Sequence, residues 1–354
     1  MKQVEIMTQM FEKYVNVLDE KCFTTNLYDE KSSQELVDHL SDHLKKSKVF
    51  ISLSGGVDSM VLLDMFTKSN NTKVYALHIN YNNREESTEE AKFLAEYCKE
   101  KNVEFILHEL DFKRGDIKRN EYEETSKKLR YNLYKEIVNK NGIDGVYVGH
   151  HDDDIVENIF NNVMKNNHTN DLSVLKPENV INEVKVFRPF IGKSKNVVYG
   201  YAFEHKVPYF KDTTPEWSCR GKMRNNIFPQ LEDCYGKSYK QNLTNFSKGV
   251  SETNTLIEML MNNYLEFDEL RCNTIMLKFD IDNNVLDMPV QFWTRIFNNI
   301  CDNIKRPRFS KKAVDNFYNT RFNMNTNAII MNKNTRLLMT CNRIYMEYDV
   351  CEKI

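Results

Sequence analysis

No two of the eight cysteines, at positions 22, 98, 219, 234, 272, 301, 341 and 351, stand closer than ten residues apart. That spacing excludes the CxxC pairs of zinc and redox sites and leaves reduced thiols as the default. A dominant charge is missing as well: 49 Lys and Arg face 51 Asp and Glu, for a net charge of -2. With 41% hydrophobic and 28% charged residues, this balance excludes a disordered acidic or basic tail protein and confines any nucleic-acid binding to a local basic patch. No apolar run approaches the roughly 20 residues that cross a bilayer. Lys2, Glu5, Glu12 and Lys13 also break up the N-terminus. A soluble, cytoplasmic protein with no membrane partner is the expectation. What the chain does have is length: its 354 residues exceed a single domain of about 100–200, so two compact units are expected.

Leu36, Val37, Leu40 and Leu44 recur at helical spacing, placing a helix over 33–46 that feeds a short apolar strand over 48–53. After a glycine-rich break the pattern reads helix 60–66 and strand 73–79, then a helix opened by the capping box Ser87-x-x-Glu90 and running to about 101. Strand 103–110, helix 121–139, strand 145–149 and helix 153–165 continue the series. Such alternation predicts an α/β fold, with a parallel sheet of the five-stranded type and helices on both faces. Arg188-Pro189 ends the last strand, 193–206 is helical, and 208–215 is an irregular connection that marks a boundary. A helix-rich stretch to 267, a strand over 274–279, helices over 290–304 and 310–318, and strands over 328–331, 336–339 and 343–348 predict a helical and small α+β C-terminal region.

The most specific local signal is Ser54-Gly55-Gly56-Val57-Asp58-Ser59, set between a buried strand and a helix. Two glycines let backbone N–H groups converge, the helix N-terminus adds positive potential, and two hydroxyls add donors, a nest suited to a pyrophosphate. It is neither a Walker A loop nor a Rossmann fingerprint.

This hexapeptide resembles the signature of the PP-loop ATP pyrophosphatases, in which these six residues hold the phosphates of ATP. Further matches make the chain similar to the tRNA(Ile)-lysidine synthetase family: His78-Ile79-Asn80 with Arg84; Glu123 with Arg130-Tyr131; Gly149-His150-His151-x-Asp153-Asp154-x-x-Glu157; Arg188-Pro189; and Asp212 with Arg224-Asn225. They run from about residue 48 to 231. Ser126-Lys127, Ile155, Tyr81-Asn82-Asn83 and the text from Asp212 to Lys222 depart from the family's usual residues.

The resemblance implies ATP and magnesium as cofactors, tRNA as partner and L-lysine as co-substrate. Its reaction joins the C2 oxygen of the first anticodon cytidine to the α-phosphate of ATP, releases pyrophosphate, and then lets lysine displace AMP. It further implies that Ser54 to Ser59 hold phosphates, that His78 and Asn80 border the adenosine, and that Arg130 orients an anionic group. Residues 1–47 then form an N-terminal helical extension, 48–213 the adenylation domain, 214–267 a basic linker with helices, and 268–354 a small mixed C-terminal domain.

Asp153, Asp154 and Glu157 share one helical face at the end of an expected parallel strand, where such folds place ligands. They suit magnesium (Asp153 and Asp154), an ammonium group, or acceptance of a proton from an attacking amine; ordinary helix capping is the plain alternative. Between Trp217 and Lys248, Arg220, Lys222, Arg224 and three further lysines face only Glu232 and Asp233. Arg220, Lys222 and Arg224 are the RNA-binding candidates, and Lys305, Arg306, Arg308, Lys311 and Lys312 form a second cluster. Three readings stay open at this point: a lysine-adding ligase, another PP-loop tRNA modification such as thiolation, and a non-catalytic ATP-responsive RNA-binding protein.

Overall fold

The computed structural model describes residues 30–348 other than 70, 83–86, 111–118, 166–171, 211–217, 265, 271–273, 279–285, 324–327 and 341–342. Arg84, Asp212 and Trp217 lie outside the described residues. The chain divides into two compact units, residues 1–248 and 249–354.

In the first unit the strands are β1 (Lys48–Ser52), β2 (Lys73–Asn80), β3 (Glu104–Glu109), β4 (Val146–Tyr147), β5 (Glu178–Ile181) and β6 (Val184–Phe187). They form one sheet in the order β3-β2-β1-β4-β6-β5. The expected five parallel strands are there, and β5 adds a sixth, antiparallel strand at the edge. That hairpin is concealed in the sequence because its turn is Asn182-Glu183, both left-handed at φ 48° and 65°, where Asn-Gly would have been the usual signal.

Helices α1 (Glu30–His39), α2 (Val57–Lys68), α3 (Ser87–Glu100), α4 (Arg119–Asn141), α5 (Asp152–Met164) and α6 (Lys195–Glu204) surround the sheet. The β1 run Val49-Phe50-Ile51 is buried in both directions, as a parallel strand covered on two faces requires. Val49 and Ile51 pack with Leu36, Met60, Leu94 and Tyr201, from α1, α2, α3 and α6. Phe50 packs on the opposite face with Tyr134 and Ile137 of α4. The first helix is shorter than its apolar spacing predicts. It stops at His39, and His43 lies in a separate 3-10 turn, where its ring meets Tyr147 and Phe187 with centroids 5.6 and 6.0 Å away.

Beyond α6 the first unit continues through α7 (Cys219–Lys222), a π turn (Met223–Ile227), α8 (Phe228–Tyr235) and the start of α9 (Tyr239–Tyr264). Met223, Phe228 and Tyr239 bury themselves against Val156 of α5, which docks this basic segment beside the carboxyl ends of the strands. The strand order reverses between β1 and β4, so the two chain segments leaving those strands open the crevice where parallel sheets receive ligands.

The second unit is an antiparallel sheet in the order β7-β8-β11-β10-β9, built from β7 (Glu266–Leu270), β8 (Thr274–Lys278), β9 (Ile329–Asn332), β10 (Thr335–Thr340) and β11 (Arg343–Tyr348). Trp293, Phe297 and Phe317 of α10 (Val290–Asn303) and α11 (Lys311–Thr320) fill its core with Leu337, Ile344 and Met346. Strand β7 replaces the last part of the helix expected to reach 267.

Candidate active site

The loop that leaves β1 is held in shape by its own small side chains. Ser59 Oγ accepts from the N–H groups of Ser54 and Gly55 (both 3.2 Å) and donates to the Gly56 carbonyl (3.0 Å). Gly55 sits at φ +83°, and a Cβ there would stand 2.5 Å from the Phe210 ring. The segment around Phe210 is pinned in turn by its N–H donating to the Gly55 carbonyl (2.9 Å). Gly56 precedes α2 and offers no side-chain cap, so the first-turn N–H groups from Val57 onward form an uncapped helix N-terminus. Val57 itself is buried in the core, so its contribution to an anion is backbone only.

The loop that leaves β4 approaches from the other side. A Cβ on Gly149 would lie 2.7 Å from Asp58 Cβ and 2.9 Å from its carbonyl carbon, so only glycine allows this approach. His151 caps α5: its Nδ1 accepts from the Asp153 N–H (3.2 Å), and Asp154 closes the capping box by accepting from the His151 N–H (3.1 Å). Because Nδ1 accepts, the ring proton sits on Nε2, which faces Asp58 Oδ1 at 3.6 Å and Asp154 Oδ2 at 3.5 Å. His151 thus links the phosphate loop to the acidic helix. The other histidine, His150, turns toward β6, where its Nδ1 accepts from Arg188 Nε (3.2 Å). Burial pushes the His150 imidazole down to about 4.

All three acidic candidates meet basic residues. Asp153 accepts from the Lys195 N–H (3.0 Å) and pairs with the Lys240 ammonium. Burial alone would raise the Asp153 carboxyl, but these two hydrogen bonds together with the positive charge of Lys240 hold the group below its ordinary value. Asp154 faces Arg224 at 3.5 Å, and buried Glu157 binds Arg224 and lies 3.4 Å from Arg220. The structure therefore brings two of the three RNA-binding candidates onto the acidic helix. Lys222 is exposed. Asp152, by contrast, accepts from the Gly192 N–H (2.7 Å) and ties down a neighbouring loop.

His78 and Asn80 are buried at the end of β2. His78 Nδ1 bonds the Leu53 carbonyl (2.8 Å), bracing the entry to the phosphate loop. Asn80 Oδ1 accepts from the Asn82 N–H (3.0 Å), while its Nδ2 is buried with no hydrogen-bond partner, an idle donor beside the site. Arg130 turns both Nε and a terminal nitrogen to Tyr81 Oη (3.1 and 2.7 Å), a contact made by one of the residues that depart from the family pattern. Lys127, a helical turn earlier, is exposed.

A cavity of about 820 Å3 opens between α5, the start of α6 and the α8–α9 segment, lined among others by His151, Asp153, Glu157, Lys195, Arg224 and Lys240. Lys195 and Lys240 could not be foreseen as partners of the site, because nothing in their local spacing links them to a helix more than thirty residues away. Lys195 lies 3.5 Å from Asp58 Oδ2. Among the described residues no group of three or more His, Cys, Asp or Glu is placed to hold a metal. The oxygens of Asp153 and Asp154 are engaged by cations and N–H groups, so a metal ion there would have to displace them. Asp58 Oδ1 is buried and accepts no hydrogen bond, which suits the one or two carboxylates that magnesium takes alongside phosphate oxygens. No helix of the described residues is long and apolar enough to cross a membrane.

Residues 28–231 match the PP-loop domain family. The tRNA(Ile)-lysidine synthase of Chlamydia trachomatis serovar D is 29% identical over 230 residues, covering 64% of this chain and 70% of that protein. The bifunctional protein TilS/HprT of Listeria innocua is 27% identical over 226 residues, covering 62% of this chain and 35% of that one. Among solved structures, the U34-tRNA thiolase NcsA from Methanococcus maripaludis, seen with its 4Fe–4S cluster, superposes with a TM-score of 0.50 at 18% identity. That match covers 63% of this chain and 79% of the other, and it speaks for a shared fold.

Proposed function

The chain belongs to the PP-loop domain family, and from that premise we propose that it is a cytoplasmic tRNA-modifying ligase that attaches lysine to the first anticodon cytidine. The observation that carries this reading is one crevice holding both an uncapped phosphate loop and a carboxylate helix already shaped around an ammonium, that of Lys240 on Asp153. Relatives named tRNA(Ile)-lysidine synthase, matched over 64% of this chain, support it.

In this reading the loop from Ser54 to Ser59 takes the phosphates of ATP on backbone N–H groups and hydroxyls. The helix N-terminus and Lys195 offset the charge that develops as pyrophosphate leaves. Asp58 would help to hold magnesium, which when bound neutralises the phosphate oxygens. Asn80 Nδ2 is suited to an acceptor atom of the nucleotide, and Arg130 to an anionic group. The C2 oxygen of cytidine forms a bond to the α-phosphorus as the bond to pyrophosphate breaks. The amine of lysine then adds at C2, and AMP departs with the C–O bond electrons. Asp153, Asp154 and Glu157 hold that amine and accept its proton. Arg220, Lys222 and Arg224 meet the RNA backbone.

Incubation with ATP labelled at the α-phosphate, lysine and a tRNA pool, followed by mass analysis of nucleosides, tests the reading. RNA-dependent pyrophosphate release and a cytidine heavier by one lysine less water are expected. A thiolated nucleoside would overturn the lysine assignment, and RNA binding without pyrophosphate release would overturn the enzyme.

A further inference from the structure

Arg188 is 3% exposed, and among the described residues no ion pair joins it to a carboxylate. A buried guanidinium spends its donors on whatever accepts them. One terminal nitrogen donates to the Lys176 carbonyl (2.9 Å) and to Asn179 Oδ1 (2.6 Å), and Nε donates to His150 Nδ1 (3.2 Å). Although burial lowers Arg188, a guanidinium remains charged in a protein, so Nε is always a donor. The acceptor, Nδ1 of His150, therefore carries no proton, and the single ring proton belongs to Nε2. That Nε2–H has no hydrogen-bond partner among the described residues, and the ring is only partly buried at the carboxyl end of the parallel sheet.

We propose that Arg188 is a positioning residue that fixes His150 as the neutral Nε2–H imidazole, so that His150 serves the reaction as a hydrogen-bond donor to a substrate oxygen and not as a base. The oxygen it fits is one on which negative charge grows, a phosphoryl or carbonyl oxygen of the activated nucleotide. This rests on the adenylating function proposed above. The low value of the ring, held there by burial and by the nearby guanidinium, keeps the donor neutral through the physiological range. It also leaves the proton of the incoming amine to the carboxylates of α5.

Two measurements on the full chain separate this proposal from the functional reading. Nitrogen-15 spectra of histidine-labelled protein, with His150 assigned by its absence in His150→Gln, should show a lone-pair signal at Nδ1 and a protonated signal at Nε2. The reverse pattern overturns the proposal whether or not the protein turns over ATP. In Arg188→Met the lock is gone, and the His150 signals should move toward a mixture of the two tautomers. An unchanged pattern would remove Arg188 from the role. For activity, His150→Gln keeps an amide N–H near the Nε2 position and should retain turnover within about tenfold. His150→Ala should lose roughly a hundredfold in kcat with little change in KM, as for the loss of one donor to a developing charge. Equal losses in Gln and Ala would make His150 a base and overturn the proposal, as would wild-type turnover in His150→Ala.

Discussion

The two sides of the crevice are built from different materials. The phosphate loop after β1 is made of backbone and small side chains, packed so closely that neither Gly55 within it nor Gly149, which approaches it from the loop after β4, has space for a methyl group. The face formed by α5 and the α7–α9 segment is made of long charged side chains paired across elements, Asp153 with Lys240 and Glu157 with Arg224. A site of the first kind fails by steric intrusion. A site of the second kind can rearrange, because Lys and Arg heads move on flexible stems while their backbones stay in place.

The largest effect is therefore expected from Gly149→Ala. Its Cβ would press on the Asp58 backbone, and pyrophosphate release should fall at least about a hundredfold. Overpacking should cost roughly 1–3 kcal/mol of stability, read by thermal unfolding. Retained turnover would show that the loop yields as readily as the charged face. Next in size are Asp154→Asn and Glu157→Gln, which keep shape and remove charge. They should lower formation of the lysine product by about a hundredfold, within the range of lost acid–base groups, while tRNA affinity changes little. Single-turnover reactions with α-labelled ATP should then accumulate adenylated RNA, and failure before adenylation would move these residues to the metal.

A third effect is thermodynamic. The unfolded chain protonates His150 near pH 6.5, whereas the folded chain does so only near 4, so stability is full above that window and declines as pH falls through it. The loss is at most about 3 kcal/mol, because the ring is partly open to water. Denaturant titrations from pH 7 to 4.5 should show the slope, and His150→Gln should flatten it. Smallest is Lys222→Ala: removing this exposed side chain should weaken tRNA binding a few-fold and reduce the slope of log affinity against log salt by roughly one, with ATP turnover unchanged.

The same contrast governs what could be read in advance. Ser54 to Ser59 and the strand–helix alternation were legible because backbone-built features leave compact local patterns, glycines at a turn and apolar residues at fixed periods. The acidic triplet at the start of α5 was legible for the same reason. Its pairing with Lys240 and Lys195 was not, since it depends on how distant segments dock, and docking is decided by tertiary packing of Met223, Phe228 and Tyr239. The β5–β6 hairpin escaped notice because Glu183 occupies a left-handed position that glycine usually marks. The capping role of His151 was equally hidden, since histidine is not among the residues that commonly open helices.

The π turn from Met223 to Ile227 carries Arg224 just ahead of Pro229. A π turn contains one residue more than an α-helix needs over the same rise. Its register thus depends on chain length and not only on composition. Deleting a single residue within 225–227 would let the segment relax to an α-helix with the flanking turns kept in place, so the change falls on the widened turn itself, where Arg224 meets Glu157, with no charge altered. At this corner of the crevice the count of residues itself sets how Arg224 meets the acidic helix.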